Sequence, residues 1–400
     1  MSTAVWTNRL ELNSVADAAL KAAVRFWMVV VVIGQLLFAS TVASFYGIAA
    51  LHGNLQAWNR FMARGYVSGD TAGHVAVGVH IGSAVIIILA GMLQLAPQIR
   101  NRFPAFHRWN GRLYLVSAFS ISLAGLFMMW MRGSAGDVWQ HLGTSLMAVL
   151  IMLCAVMAAR YAIARDFKTH RRWALRLYLV VSASLFIRAG IFLSLLVNRG
   201  PFGFDSTSFT GPFLTFISFA QYLVPLAVLE LYFRVQERPG TIRRMGMAAG
   251  LFVLSLGLAA GIFAVSIAVW VPEVKAAFDT RKPIGETLSA TIAARGMDTA
   301  VQQYHELNTA GSAAAYNFDE NQLNTLGYTL LREKKYAEAI RIFQLNVEAY
   351  PQSANVYDSL GEGYMDAGDK VQAIANYRKS LELNPKNSGA VAMLQKLGAP

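Results

Sequence analysis

Cysteine is almost absent: Cys154 stands alone in 400 residues. One thiol excludes an intrachain disulfide, a cysteine-built zinc site and an iron–sulfur cluster carried by this chain alone. Set within an apolar helix, it reads as a small packing residue. Charge is scarce too, at 14% of residues. Two hydrolase signatures, Ser-x-x-Lys and Gly-x-Ser-x-Gly, do not occur, which removes the serine chemistry tied to them. The apolar segments show few of the proline-interrupted breaks expected in many transporters. No cleavable signal-peptide pattern stands at the start, since Arg25 to Ala49 is too long for such an apolar core and reads as a spanning helix.

Apolar sequence is abundant instead, at 55% of residues with a mean hydropathy of +0.40. The net charge of +12 is unevenly placed: residues 1–283 hold 25 Lys and Arg against 10 Asp and Glu, and residues 284–400 hold 10 against 13. This is the signature of membrane topology, not of nucleic-acid binding. After an N-terminal segment, 1–24, seven apolar runs fall near 25–49, 73–96, 106–131, 138–162, 173–197, 211–234 and 246–271. Each can cross about 30 Å of hydrocarbon at roughly 1.5 Å per residue. Arginine crowds alternate loops: Arg100, Arg102 and Arg108, then Arg165, Arg171 and Arg172, then Arg238, Arg243 and Arg244. The positive-inside rule then predicts a bacterial cytoplasmic (inner) membrane protein with a cytoplasmic N-terminus. Seven spans put everything after Val271 on the outer, periplasmic face.

The stretch 73–190 contains one pattern twice. His80-Ile-Gly-Ser is followed by Trp109-Asn-Gly-Arg112-Leu-Tyr-Leu-Val; His141-Leu-Gly-Thr is followed by Trp173-Ala-Leu-Arg176-Leu-Tyr-Leu-Val. A second histidine precedes each tryptophan, His107 in one copy and His170 in the other. Topology sorts them into an outer pair, His80 and His141, and an inner pair, His107 and His170. Two imidazoles facing across a bundle could hold a haem at each level, with the irons roughly 20–25 Å apart. Interfacial decoration, interhelical hydrogen bonding or duplication kept for packing explain the same residues without a cofactor. His74 reads as interfacial or as an alternative ligand to His80, His52 as an outer-loop residue and His305 as a surface residue.

His80, the basic turn and Phe106-His107-Arg108-Trp-Asn-Gly resemble the core of cytochrome b561-type membrane proteins over about 73–190. The membrane part as a whole is similar to a bacterial family known only as domain of unknown function 2306. The b561 resemblance implies two haem b groups, with His80, His141, His107 and His170 at the ligand positions, and transmembrane electron transfer involving a quinone or another redox partner. The copies differ by one residue: His170 lies three before its tryptophan, His107 two. That offset turns an imidazole by about 100° on a helix, so the outer pair is the better matched.

Arg188, in Leu185-Phe-Ile-Arg-Ala-Gly, would cost about 2.5–3.5 kcal/mol in hydrocarbon unless paired. It reads as a contact for a haem propionate or another anion, or as an arginine bonded to carbonyls or snorkelling outward. Arg112 and Arg176 match across the repeat, as inner propionate contacts or plain topological charges. Glu230 reads as an interfacial carboxylate facing Arg234, one turn on. Trp109, Trp173, Tyr114 and Tyr178 read as interfacial and packing aromatics. Gly78 and Gly82 would allow close helix approach or leave room for a flat ring.

Past a linker at 272–283, residues 284–400 are mixed-charge and helical in pattern. Two 34-residue units, 320–353 and 354–387, repeat Leu326-Gly327, Ala339, Phe343 and Pro351 as Leu360-Gly361, Ala373, Tyr377 and Pro385. This spacing looks like the tetratricopeptide repeat. Residues 284–310 read as a further helical pair and Ser388 to Leu397 as a capping helix. The predicted fold is therefore all-α: a seven-helix transmembrane bundle with an internally repeated four-helix core, joined to a soluble tetratricopeptide-repeat α-solenoid. Two functions follow: a b-type cytochrome-like oxidoreductase component whose repeats dock a protein partner, or a non-enzymatic membrane scaffold displaying repeats to a protein or peptide.

Overall fold

Lipid offers no hydrogen bonds to the main chain, so apolar runs this long must satisfy their peptide groups internally. They do so as helices in the computed structural model. Backbone is described except at residues 1, 63, 206–207, 239, 310 and 400, and side chains except at these, residue 60 and residues 1–12. The chain divides into two compact units, Met1–Phe278 and Asp279–Pro400, meeting inside the stretch read as a linker.

The first unit contains α1 (Ser2–Leu51), α2 (Thr71–Leu95), the short α3 (Pro97–Arg102), α4 (Pro104–Phe127), α5 (Val138–Ile163), α6 (Phe167–Val181), α7 (Ala183–Asn198), α8 (Pro212–Glu237), α9 (Thr241–Val265) and α10 (Val271–Ala277). Aspartates start three of them: Asp70, Asp137 and Asp166 each accept a backbone N–H of the first turn with their side chains, relieving donors that a helix start leaves unpaired. Pro104 and Pro212 sit at first-turn positions, where a missing N–H costs nothing. Outward faces carry large apolar side chains such as Val116, Leu153, Phe252 and Phe263, as expected where the neighbour is lipid.

Among the described residues, six helices are long and apolar enough to cross a membrane, and a seventh span exists if α6 and α7 are counted together. The run read as one helix over 173–197 is bent by 46° between them. Its hinge is Ser182, fully buried. The Ser182 hydroxyl donates to the Tyr178 carbonyl one turn back, at 2.8 Å, and accepts from Gln35 Nε2 of α1 at 2.9 Å. A side chain competing for a helix carbonyl is a recognised cause of bending. Two π-helical turns, Met128–Arg132 and Ser266–Trp270, continue α4 and α9.

The bundle centre is packed. A Cβ on Gly91 of α2 would lie 3.0 Å from the Tyr114 ring and 3.4 Å from the Tyr178 ring. Both tyrosines and Cys154 are buried in one apolar core with Ile87, Ala118 and Leu177. Gly91 is thus a close-approach glycine on α2, as is Gly73, where a Cβ would run into Asp70 and Arg132. Gly78 and Gly82 are not, since a Cβ on either meets nothing within 4 Å.

The second unit opens on β1 (Lys282–Pro283), which pairs in parallel with β2 (Tyr316–Asn317), Lys282 opposite Tyr316. Between them lies the hairpin α11 (Ile284–Arg295) and α12 (Met297–Thr309). Two repeat hairpins follow, α13 (Glu320–Arg332) with α14 (Tyr336–Ala349) and α15 (Ala354–Asp366) with α16 (Lys370–Leu383), before α17 (Ser388–Lys396). The repeat signature is a packing code. Gly361 faces the Tyr377 ring, 2.9 Å from where a Cβ would sit, and Gly327 faces Phe343 in the same way. Ala339 and Ala373 are fully buried beneath them. Ala390 and Leu394 of α17 close the last hairpin over Ala373 and Tyr377.

Candidate functional site

The duplicated motif makes the same local contact in both copies. Arg112 lies over the Trp109 ring at 4.9 Å, and Arg176 lies over Trp173 at 4.8 Å. Three residues apart on a helix, each arginine folds back on its tryptophan face, a cation–π pair. Beyond that the copies diverge. Arg176 Nε also meets Glu230 Oε1 of α8 at 2.7 Å. The sequence expectation for Glu230 is thereby corrected: its partner is Arg176 across the bundle, not Arg234 on its own helix. Arg176 Nε and Nη2 both converge on that one carboxylate oxygen, a charge-assisted contact across the bundle.

The inner histidines sit at helix starts, His107 in the first turn of α4 and His170 in the first turn of α6; the charge of a protonated His170 would act weakly on His107. His107 Nδ1 is buried without a hydrogen-bond partner among the described residues. The His107 carbonyl accepts from Gln94 Nε2 of α2 at 2.8 Å. His170 Nδ1 lies 2.8 Å from the Ala158 carbonyl of α5. A ring that gives its Nδ1 proton to a carbonyl keeps a lone pair on Nε2, the state of a metal-ligating imidazole.

The outer histidines make separate local contacts. His80 Nδ1 lies 3.2 Å from the Ile121 carbonyl of α4, with Gly125 beside its ring. His141 Nε2 instead lies 3.0 Å from Ser134 Oγ and 3.4 Å from the Ala135 carbonyl, and its ring stands edge-on to Trp130. Neither α2 and α5 nor α4 and α6 pack along one another. The loop after Trp130 already occupies the His141 nitrogen.

Arg188 resolves toward its plainer reading. Its Nη1 donates to the Ser184 carbonyl at 2.6 Å, and its guanidinium covers the Phe38 ring at 4.5 Å. His80 and Tyr46 both feel its charge. No carboxylate pairs with it among the described residues. His74 stacks on Tyr66 with its Nε2 accepting the Val67 N–H, a local loop contact. His305 is exposed beside Glu348. Among the described residues no three His, Cys, Asp or Glu side chains converge, so the membrane unit offers pairs.

In the second unit the first helix of each repeat carries the polar residues. Asn324 and Tyr328 of α13 recur 34 positions later as Asp358 and Glu362 of α15. Four residues apart, each pair shares one helix face. Tyr328 Oη donates to Glu362 Oε2 at 2.6 Å and lies 3.1 Å from Ser359 Oγ. Asn387 Nδ2 donates to Asp358 Oδ1 at 3.0 Å. Burial pushes both carboxyls above the usual carboxylate range, since a partly dry site disfavours the charged form. Asn324 Oδ1 is buried with no hydrogen-bond partner among the described residues. Sequence reading found the repeat but not this face, whose residues lie outside the repeat signature.

Residues 77–233 match the model of a family described as a predicted membrane protein, domain of unknown function 2306. Residues 354–387 match the tetratricopeptide repeat. The chain is thus similar to that membrane family over 77–233 and to the tetratricopeptide repeat over 354–387. The matched DUF2306 segment encloses all four paired histidines and Arg188. The first repeat, 320–353, stands on its own helices and on the Gly327–Phe343 contact. No curated protein matches the chain.

Proposed function

We propose that this protein is a membrane-held scaffold whose tetratricopeptide repeats dock a protein segment. One observation carries the reading. Asn324, Tyr328, Asp358 and Glu362 share corresponding faces of successive repeat helices, with an unpartnered amide oxygen and two partly dry carboxyls among them. Such a face favours an extended segment that supplies N–H donors and a Lys or Arg, since paired charges recover the cost of desolvation. Binding of a panel of basic and acidic peptides to the full chain in detergent tests this. Basic peptides should bind, and Glu362→Gln together with Asp358→Asn should weaken them about tenfold, the loss of one or two charge-assisted hydrogen bonds. Equal binding of acidic and basic peptides overturns it.

A second reading is favoured by the inner histidines. His107 and His170 would supply two axial nitrogens to a haem b, and this chain's part would be to hold the His170 ring by its Nδ1–Ala158 hydrogen bond. The haem, when bound, would supply one-electron chemistry, and quinone or another redox partner belongs to this reading alone. Protein purified from haem-supplied cells and reduced with dithionite should show a b-type α band that His170→Ala abolishes. A colourless protein sinks this reading and leaves the scaffold reading intact.

The alternating arginine loops support a bacterial inner-membrane location with the N-terminus cytoplasmic. If α6 and α7 together make one span, the total is seven and the repeats lie on the outer face. Protease added to intact spheroplasts should then remove the repeats. Full protection would mean that the bent pair is re-entrant.

A further inference from the structure

The helices α8 and α9 are consecutive, yet they touch sparingly, while α9 packs along α1 and α7. The opening between them is a groove of about 880 Å³ within the membrane unit. Its mouth is basic: Arg234, Arg238 and Arg243 line it. Its inner wall is apolar and carries Gly246, Gly250 and Leu254 of α9. A Cβ on either glycine would meet nothing within 4 Å. These glycines do not bring helices together; they leave a channel along α9.

The three arginines differ from their neighbours. Arg172 is paired with Glu237, Arg176 with Glu230 and Arg244 with Asp17. Among the described residues, Arg234, Arg238 and Arg243 have no ion-pair partner. Arg243 Nη1 donates to the Arg238 carbonyl, at 3.5 Å. Glu237 also lines the groove, but Arg172 already holds it. Positive-inside topology accounts for arginines at this end, but not for three of them converging on one opening with no ion-pair partner among the described residues.

The groove has the length of one lipid leaflet. From Arg243 to Leu254 the helix rises roughly 16 Å at 1.5 Å per residue, about half of the 30 Å hydrocarbon. A basic mouth at headgroup depth above an apolar channel of that length matches a phosphate with an acyl chain beneath it. We propose that the opening between α8 and α9 is a binding site for one anionic phospholipid, its phosphate among Arg234, Arg238 and Arg243 and one acyl chain along Gly246 and Gly250. The site is independent of the docking and haem readings.

Native mass spectrometry of the full-length protein in detergent tests it, with dioleoyl phosphatidylglycerol and dioleoyl phosphatidylcholine as probes. One phosphatidylglycerol should be retained at least about tenfold more strongly than phosphatidylcholine, as expected for several arginines acting on one headgroup. The triple variant Arg234→Gln, Arg238→Gln, Arg243→Gln should lose that preference. Gly250→Leu keeps every charge and fills the channel, and should lower phosphatidylglycerol retention without restoring phosphatidylcholine. Equal retention of the two lipids, or an unchanged triple variant, overturns the site. Retention unaffected by Gly250→Leu but abolished by millimolar inorganic phosphate shows surface anion binding and overturns it too.

Discussion

Glu230 of α8 closes on Arg176 of α6 at 2.7 Å, while Arg176 also covers the Trp173 ring at 4.8 Å. One guanidinium thus joins a carboxylate and an aromatic face, and ties the second half of the bent pair's first helix to the next span. Its repeat counterpart Arg112 keeps the tryptophan contact without such a carboxylate partner among the described residues. The two copies of the motif share their local geometry and have taken different places in the bundle.

Glu230→Gln should therefore destabilise the membrane unit by roughly 1 kcal/mol, the upper part of the range for accessible ion pairs. Arg176→Gln should cost more, because it removes the cation–π contact as well. A double-mutant cycle read by thermal unfolding in detergent should show coupling between the two positions. Strict additivity would mean that the pair contributes nothing.

Gln35 and Ser182 make the bond that pins the bend to α1. Gln35→Leu should leave the Ser182 hydroxyl with its local Tyr178 bond only and cost about 1–2 kcal/mol, as for a buried side-chain hydrogen bond lost on one side. Ser182→Ala should cost a similar amount and straighten the hinge. Spin labels at positions 173 and 197 should move apart in Ser182→Ala; an unchanged distance would place the cause of the bend elsewhere.

Gly361→Val should disrupt the second repeat. The added branches would enter the Tyr377 ring, already 2.9 Å from a Cβ, and overpacking of this kind costs about 1–3 kcal/mol. Hydrogen exchange on the full chain should show lost protection in α15 and α16, with the membrane unit unaffected. Gly368→Ala, in contrast, tests backbone alone: at φ 86° it should destabilise through strain, with no clash to relieve.

The Asp358 and Glu362 carboxyls titrate above their ordinary range because burial disfavours their charge. Between the unfolded and folded pKa values the folded unit binds more protons. Stability should therefore fall as pH rises from the ordinary carboxylate pKa upward through the raised ones. Exchange protection of α13 and α15 should decline across that window, and Glu362→Gln should flatten the decline. A rising profile would contradict the burial of these groups.

Hydropathy and repeat spacing by themselves determined the helices, the loop charges, the membrane character of the first unit and the two repeat hairpins. These are local properties: an apolar run in lipid must be a helix, and a glycine facing an aromatic ring recurs every 34 residues. Tryptophan and arginine three apart likewise find each other on one helix. Tertiary structure decided the rest. The fold commits His141 to Ser134 and His170 to the Ala158 carbonyl. It bent the run at Ser182, gave Glu230 to Arg176 and opened α8 from α9 beside Arg234, Arg238 and Arg243. Each depends on how one helix crosses another. Crossing is set by side chains far apart in the chain, such as Gln35 against Ser182, so periodicity along a single segment carries no record of it.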